Sequence, residues 1–189
     1  DSEKQVCDLE SEQCVECTIE TEAEQCGENS CNPATHECTD TARSSADICE
    51  PCVADSECED EGAYCVPLRF SPEGEEVTEL GGYCLKEKSS ETACSRPFSS
   101  PLTRTTLSGI EGKIVCGIAE PLTTCRAVLD LVEDVPKSCS TDNQCGIEGL
   151  NDGICDTPNV GGCTYACTSG AQCPDDKPCP GGGGYCGQP

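Results

Sequence analysis

Hydrophobic residues are scattered along this chain and rarely form a face. Only one stretch has a helical period: PLTTCRAVLDLVED (121–134), where Leu122, Cys125, Val128, Leu129 and Val132 recur at three- and four-residue steps. Pro121 suits the first turn of such a helix and Pro136 lies just beyond its end. The short β-branched run KIVCGI (113–118) predicts a strand. Elsewhere polar residues and glycines alternate with cysteines, and the cysteine spacing sets the period. Cys49, Cys52, Cys58, Cys65 and Cys84 form one run, and Cys163, Cys167, Cys173, Cys179 and Cys186 form a second. Both contain a C-x5-C step and both end in GGYC, at 81–84 and 183–186. The first copy carries an insert, FSPEGEEVTEL.

A looser run is Cys14, Cys17, Cys26, Cys31 and Cys38, and a partial one is Cys139, Cys145 and Cys155 leading into Cys163. Three C-x5-C loops match, CVADSEC, CSTDNQC and CTSGAQC, each with Glu or Gln before its second cysteine. Asp55 and Asp142 hold the same loop position and suit a turn. Three of the four tyrosines, Tyr64, Tyr83 and Tyr185, stand directly before a cysteine, and Tyr165 lies between Cys163 and Cys167. The repeat predicts that these rings, lying over disulfides, supply much of each small core. A five-cysteine module must also form at least one bridge outside itself; spacing does not fix the connectivity.

These units divide the chain into an acidic N-terminal cysteine module (1–48), a module with a loop insert ending in GGYC (49–93), a strand–helix insert (94–138) carrying Cys94, Cys116 and Cys125, and C-terminal modules (139–189). Cys125 is expected to fasten the helix, with Cys116 as its candidate partner.

Composition changes the picture. Leu, Ile, Val and Phe number 29 of 189 residues and the net charge is −25. Such a chain lacks the apolar area to offset its ordering entropy. The 22 cysteines reverse that expectation: from Cys7 onward all are read as disulfide-bonded, in about eleven bridges. The fold class is therefore small and disulfide-rich, an extended array of short-strand modules with little regular structure and one short helix. Disulfides at this density place the chain outside the cell or at its surface. The opening DSEKQVC reads as a trimmed N-terminus, so membrane attachment would come only through a lipid anchor outside this sequence.

The acid is uneven. Residues 1–95 hold 25 Asp and Glu against 5 Lys and Arg. That field repels phosphate backbones, which excludes nucleic acid and favours a protein or glycan partner with a basic or neutral surface.

The run CVADSECEDEGAYC resembles the cysteine steps of Dickkopf-type cysteine-rich domains, and the whole chain is more similar to cysteine-rich surface lipoproteins of myxobacteria and related bacteria. The resemblance implies an exported or cell-envelope location and no activity.

Catalytic chemistry finds little support. His36 is the single histidine, in the loop Cys31-NPATHE-Cys38, and no G-x-S-x-G occurs. The C-x2-C pairs Cys14/Cys17 and Cys49/Cys52 precede no apolar helix and read as structural disulfides rather than zinc or redox sites. No catalytic, cofactor-binding or metal-ligating residue is assigned. Calcium is the one cofactor in play, with Asp152 and Asp156 in NDGICD (151–156) as its candidate ligands; GLNDGICD resembles the calcium-binding Notch-type repeat. The reading is a non-catalytic binding or structural protein. A calcium-stabilised adhesion module and a protease inhibitor, presenting Arg69 or Arg104, stand as alternatives.

Overall fold

A computed structural model describes residues 6–8, 13–72, 76–89, 93–132, 136–181 and 183–189. Four cysteine modules repeat along it, and each is closed in the same interlaced way: first cysteine to third, second to fourth. Module I joins Cys17 to Cys31 and Cys26 to Cys38. Module II joins Cys52 to Cys65 and Cys58 to Cys84. Module III joins Cys139 to Cys155 and Cys145 to Cys163, and module IV joins Cys167 to Cys179 and Cys173 to Cys186. The repeat is thus four cysteines long. The fifth cysteine of each run bonds elsewhere: Cys163 belongs to module III, and Cys49 is disulfide-bonded outside the four of module II.

Backbone hydrogen bonding explains why the spacings recur. In modules II, III and IV the C-x5-C loop makes a three-residue 3-10 turn, at Asp55–Glu57, Asp142–Gln144 and Gly170–Gln172. The Glu or Gln before the second cysteine turns back to cap the loop. Glu57 accepts the Val53 N–H at 2.7 Å, Gln144 that of Ser140 at 2.6 Å, and Gln172 that of Thr168 at 2.7 Å. In module I the longer loop holds helix α1 (Glu22–Gln25), and Thr21 Oγ1 takes the equivalent N–H, from Thr18. A second carboxylate accepts the N–H of the third cysteine. Asp55 serves Cys65 and Asp142 serves Cys155, both at 2.8 Å, and Glu22 serves Cys31 at 3.1 Å. Module IV has Gly170 at this position and lacks the carboxylate. Buried backbone donors need partners, so the polar residues of these loops are structural.

The strands are short. β1 (Val6–Asp8) and β2 (Gln13–Val15) form a ladder that sets Cys7 opposite Cys14; the Cys7 side chain lies outside the described part of the structure. β3 (Asn29–Cys31) pairs with β4 (Cys38–Ala42) in module I. In module II, β7 (Thr78–Lys86) runs between β5 (Pro51–Cys52) and β6 (Ala63–Phe70). The insert FSPEGEEVTEL therefore lengthens a hairpin, with residues 73–75 outside the described part. β8 (Ser100–Arg104) pairs with β9 (Lys113–Gly117), confirming the predicted strand. β11 (Gly162–Cys167) lies between β10 (Gly153–Asp156) and β12 (Gly184–Tyr185).

GGYC closes its module by a fixed register. Tyr83 faces Pro51 and Gly82 faces Cys52, just as Tyr185 faces Ala166 and Gly184 faces Cys167. The fourth cysteine then donates its N–H to the carbonyl two residues before the first cysteine: Cys84 to Glu50, Cys186 to Tyr165 and, in module III, Cys163 to Lys137, at 2.9–3.0 Å. The second glycine is required for close approach. A Cβ on Gly82 would stand 2.5 Å from the Cys52 carbonyl oxygen and 2.7 Å from Cys65 Sγ. Gly81 before it has φ +88°, a left-handed conformation open to glycine.

The cores are sulfur, more than aromatic. Around module II the buried cluster is Cys52, Cys58, Cys65 and Cys84 with Ala46 and Ala63, and Ile48 packs against it. The tyrosines divide instead of forming a common core. Tyr165 and Tyr83 are buried, whereas Tyr64 and Tyr185 are half-buried. Tyr165 donates its hydroxyl to the Gln172 carbonyl at 2.7 Å, and burial raises its phenol well above the ordinary value.

The chain divides into two compact units. Unit 1 is residues 1–67, 81–87 and 103–113; unit 2 is residues 68–80, 88–102 and 114–189. Unit 2 holds helix α2 (Cys125–Val132), packed against β11. The helix starts four residues later than the periodicity predicts, because Thr124, not Pro121, caps it: Thr124 Oγ1 accepts the Ala127 N–H at 3.2 Å. Its extension to residue 134 lies outside the described part. The buried face is also rotated. Cys125, Ala127, Val128, Asp130 and Leu131 face inward while Val132 is exposed. Asp130 is held on that buried face by Lys137 at 3.2 Å and the Gly146 N–H at 2.8 Å, and pairs along the helix with Arg126 at 2.7 Å. Cys116 is not the partner of Cys125; it pairs with Cys94, and Cys125 is disulfide-bonded elsewhere.

Gly82→Ala is expected to destabilise the protein by about 1–3 kcal/mol through overpacking. Gly170→Ala, where an added Cβ meets nothing within 4 Å, should be close to neutral. Denaturant midpoints of the two variants check this.

Candidate binding surface

Two buried carboxylates join modules I and II inside unit 1. Glu57 of module II accepts the Ser30 hydroxyl of module I at 2.5 Å, and Glu22 of module I accepts the Ser56 hydroxyl of module II at 2.9 Å. Each module supplies a buried acid to the other's serine. Backbone bonds complete the joint: Ser44 N–H reaches the Ser56 carbonyl at 2.8 Å, and Ala46 N–H the Glu57 carbonyl at 2.8 Å.

Above this joint unit 1 opens a cleft of about 860 Å³, lined by Glu22, Glu28, Ala42, Arg43, Ser44, Ser56 and the run Cys58–Ala63. Five acidic residues and one base line it, and Lys86 pairs with Asp60 at 3.2 Å. Arg43 is already engaged, donating to the Gly27 carbonyl at 2.7 Å. The Glu59 carboxyl is held above the usual carboxylate range. Its hydrogen bond with Asp47 and the Asp47 charge are the main causes, followed by burial and the charges of Asp60 and Glu50. A surface of one sign of charge attracts cations.

A second feature of unit 1 is the turn joining β8 to β9. Leu107 and Ile110 are 36% and 44% exposed there, yet the backbone is tied down. Thr106 N–H bonds the Ile110 carbonyl at 2.9 Å, and Leu107 N–H the Cys65 carbonyl at 2.8 Å. Asp55 secures the turn to module II: its carboxylate accepts the Thr106 hydroxyl at 2.8 Å and its N–H donates to Ser108 Oγ at 3.0 Å. Burial outweighs these bonds and raises the Asp55 carboxyl.

The residues singled out from the sequence take other roles. Arg104 sits on β8, half-buried, its guanidinium donating to the carbonyls of Pro67 and Thr103. Arg69 lies on β6 in an exposed pair with Glu79. Neither is a loop apex: both lie on strands. His36 has φ +57° and its carbonyl accepts the Cys17 N–H at 3.2 Å, so it serves the closure of module I.

Asp152 and Asp156 work in separate networks. Buried Asp152 accepts the Thr124 hydroxyl in a short hydrogen bond and the Ile147 N–H at 3.0 Å. Asp156 accepts Asn159 Nδ2 at 3.0 Å and Gln188 Nε2 at 2.7 Å, and these bonds, that from Gln188 foremost, lower its carboxyl.

The C-x2-C pairs are not bonded internally: Cys17 goes to Cys31 and Cys52 to Cys65. The groups of described side chains close enough to hold an ion are all cysteine sets, one in each module. The four-cysteine repeat is the sequence signal that could have located them. No family model, curated protein or solved structure matches the chain.

Burial is the main cause that raises the Asp152 carboxyl. A folded value above the unfolded one gives stability that is full below the unfolded value near 3.8 and declines as pH rises through the folded value. Asp152→Asn removes that decline. The difference in melting temperature, variant minus wild type, should therefore move in the variant's favour between pH 3.5 and pH 7 (~3 units spanning the carboxylate range), as thermal melts across that range would report.

Proposed function

We propose that the chain is an exported, non-catalytic binding protein whose acidic cleft in unit 1 takes a basic segment of a protein partner. The single observation that carries this is the cleft itself: the exposed carboxylates of Glu28, Glu59, Asp60 and Glu61 around an open depression whose walls are fixed by crossed disulfides and buried acid–serine bonds. A surface so pre-organised loses little entropy on binding. Dense disulfides fit an extracellular setting, and among the described residues no helix is long and apolar enough to cross a membrane. The likeness to cysteine-rich surface lipoproteins supports a place at the cell envelope.

The probe is a lysine octapeptide, with a glutamate octapeptide as control. Calorimetry should show the lysine peptide binding and its affinity falling steeply with salt, as exposed charges demand. The triple change Glu59→Gln, Asp60→Asn and Glu61→Gln should weaken it by about tenfold or more, since each lost charge contact is worth several tenths of a kcal/mol. Equal binding by the triple variant would move the site away from the cleft, and no binding at low salt would reject the reading.

A further inference from the structure

Apolar side chains are scarce in this chain, yet three of the larger ones are gathered on the surface of unit 1. Val53, Leu107 and Ile110 are 36% to 44% exposed. They come from two segments that the fold pins to each other. Asp55, two residues after Val53, donates its N–H to Ser108 Oγ at 3.0 Å and accepts the Thr106 hydroxyl at 2.8 Å. Gly82 supplies the socket between them. The Cys52 carbonyl oxygen and Leu107 Cδ1 each lie 2.5 Å from the point where a Cβ on Gly82 would stand, so Leu107 borders the main chain directly before Val53. Ile110 closes the turn, its carbonyl accepting the Thr106 N–H at 2.9 Å. Lone exposed apolar residues are ordinary; a group fixed on a rigid frame marks a contact surface.

The group adjoins the acidic cleft through shared segments. Ser56 lines the cleft while its neighbour Asp55 holds the apolar turn. Ala63 lines the cleft, and Cys65, two residues along β6, accepts the Leu107 N–H at 2.8 Å. A strand advances about 3.3 Å per residue, which sets the two contacts roughly 7 Å apart along β6. Acid reaches the edge of the group, since Glu111 follows Ile110 and is exposed. The base nearest to it in sequence, Lys113, already donates to Glu87 at 3.0 Å and to the Tyr64 hydroxyl at 2.7 Å.

We propose that the segment taken by the cleft is amphipathic as well as basic: its lysine or arginine side chains lie in the cleft, and an adjoining aliphatic side chain covers Val53, Leu107 and Ile110. The inference rests on the cleft reading and adds a second contact to it. Charge selects this occupant. A second copy of the chain would bring a net charge of −25 against its like, whereas a basic segment is drawn in. Exposed acid attracts and orients a partner but is screened by salt. An apolar contact that sheds water is not, and a turn already tied at its backbone loses little entropy when covered. The cleft supplies the approach and the apolar group the hold.

The test uses the full oxidised chain and two octapeptides of equal charge, six lysines with two central leucines and six lysines with two central serines. In calorimetry at low salt the leucine peptide is expected to bind about tenfold more tightly, ~1.4 kcal/mol, and to keep that ratio as salt weakens both. Val53→Ser with Ile110→Ser should erase the ratio while the serine peptide binds as before, which also shows that the fold is kept. Val77→Ser with Val132→Ser, exposed valines elsewhere, should leave the ratio unchanged. Equal binding of the two peptides to the unaltered chain would overturn the inference and leave the cleft reading intact. Binding of neither would reject the cleft reading and the inference with it. A leucine advantage that survives Val53→Ser with Ile110→Ser would put the apolar contact elsewhere, and leucine-peptide binding untouched by the triple change at Glu59, Asp60 and Glu61 would detach the group from the cleft; either overturns the inference. So would sedimentation showing a dimer that Val53→Ser with Ile110→Ser abolishes, which would make the group an interface between copies.

Discussion

The interlacing of two disulfides within each four-cysteine module is the constraint on which the other features depend. A chain with so few branched and aromatic side chains has no apolar core large enough to order it. Each bridge here closes a loop of 12–26 residues, and closing one such loop removes roughly 3 kcal/mol of unfolded-state entropy. The crossing also forces backbone segments close together. That proximity buries N–H groups which must then be satisfied, and the recurrent Glu, Gln and Asp of the C-x5-C loops satisfy them. Sulfur placement, loop acids and the glycines before Tyr-Cys are thus parts of one solution.

The same logic accounts for some of the acid. Glu22, Glu57 and Asp55 are acidic residues because a carboxylate accepts two or more backbone or hydroxyl donors, and each sits where such donors converge, while Asp142 takes the Cys155 N–H. Glu59, Asp60 and Glu61 differ. They follow the second cysteine of module II and line the open cleft. One module therefore uses acid in two ways, inward to cap the backbone and outward to charge a surface.

Much of the repeat was legible in the sequence. The C-x5-C steps, the Glu or Gln before the second cysteine, and the paired GGYC motifs all mark equivalent positions in space. The pairing was not, because four cysteines admit three connectivities and spacing does not choose among them. The period was misjudged by one cysteine for a related reason: Cys49 and Cys163 stand next to a module without closing it. The helix was found, but its start and buried face were misplaced. Apolar periodicity does not register Asp130, which is held inward by Lys137 and the Gly146 N–H. The cleft was invisible because its walls come from residues between 22 and 63 that only the joint between modules I and II brings together. The tied turn at 106–110 was hidden because Thr106 and Ser108 give no signal until Asp55 is seen to hold them.

Disulfide mapping tests the central claim most directly. The native chain would be digested under conditions that prevent exchange, partially reduced, and its linked peptides identified by mass spectrometry. The account predicts first-to-third and second-to-fourth linkage in all four modules, with Cys52–Cys65 and Cys58–Cys84 recovered as separate species from Cys167–Cys179 and Cys173–Cys186. Sequential linkage, such as Cys52 to Cys58 or Cys167 to Cys173, would contradict it, and with it the shared frame from which the cleft and the sulfur clusters follow.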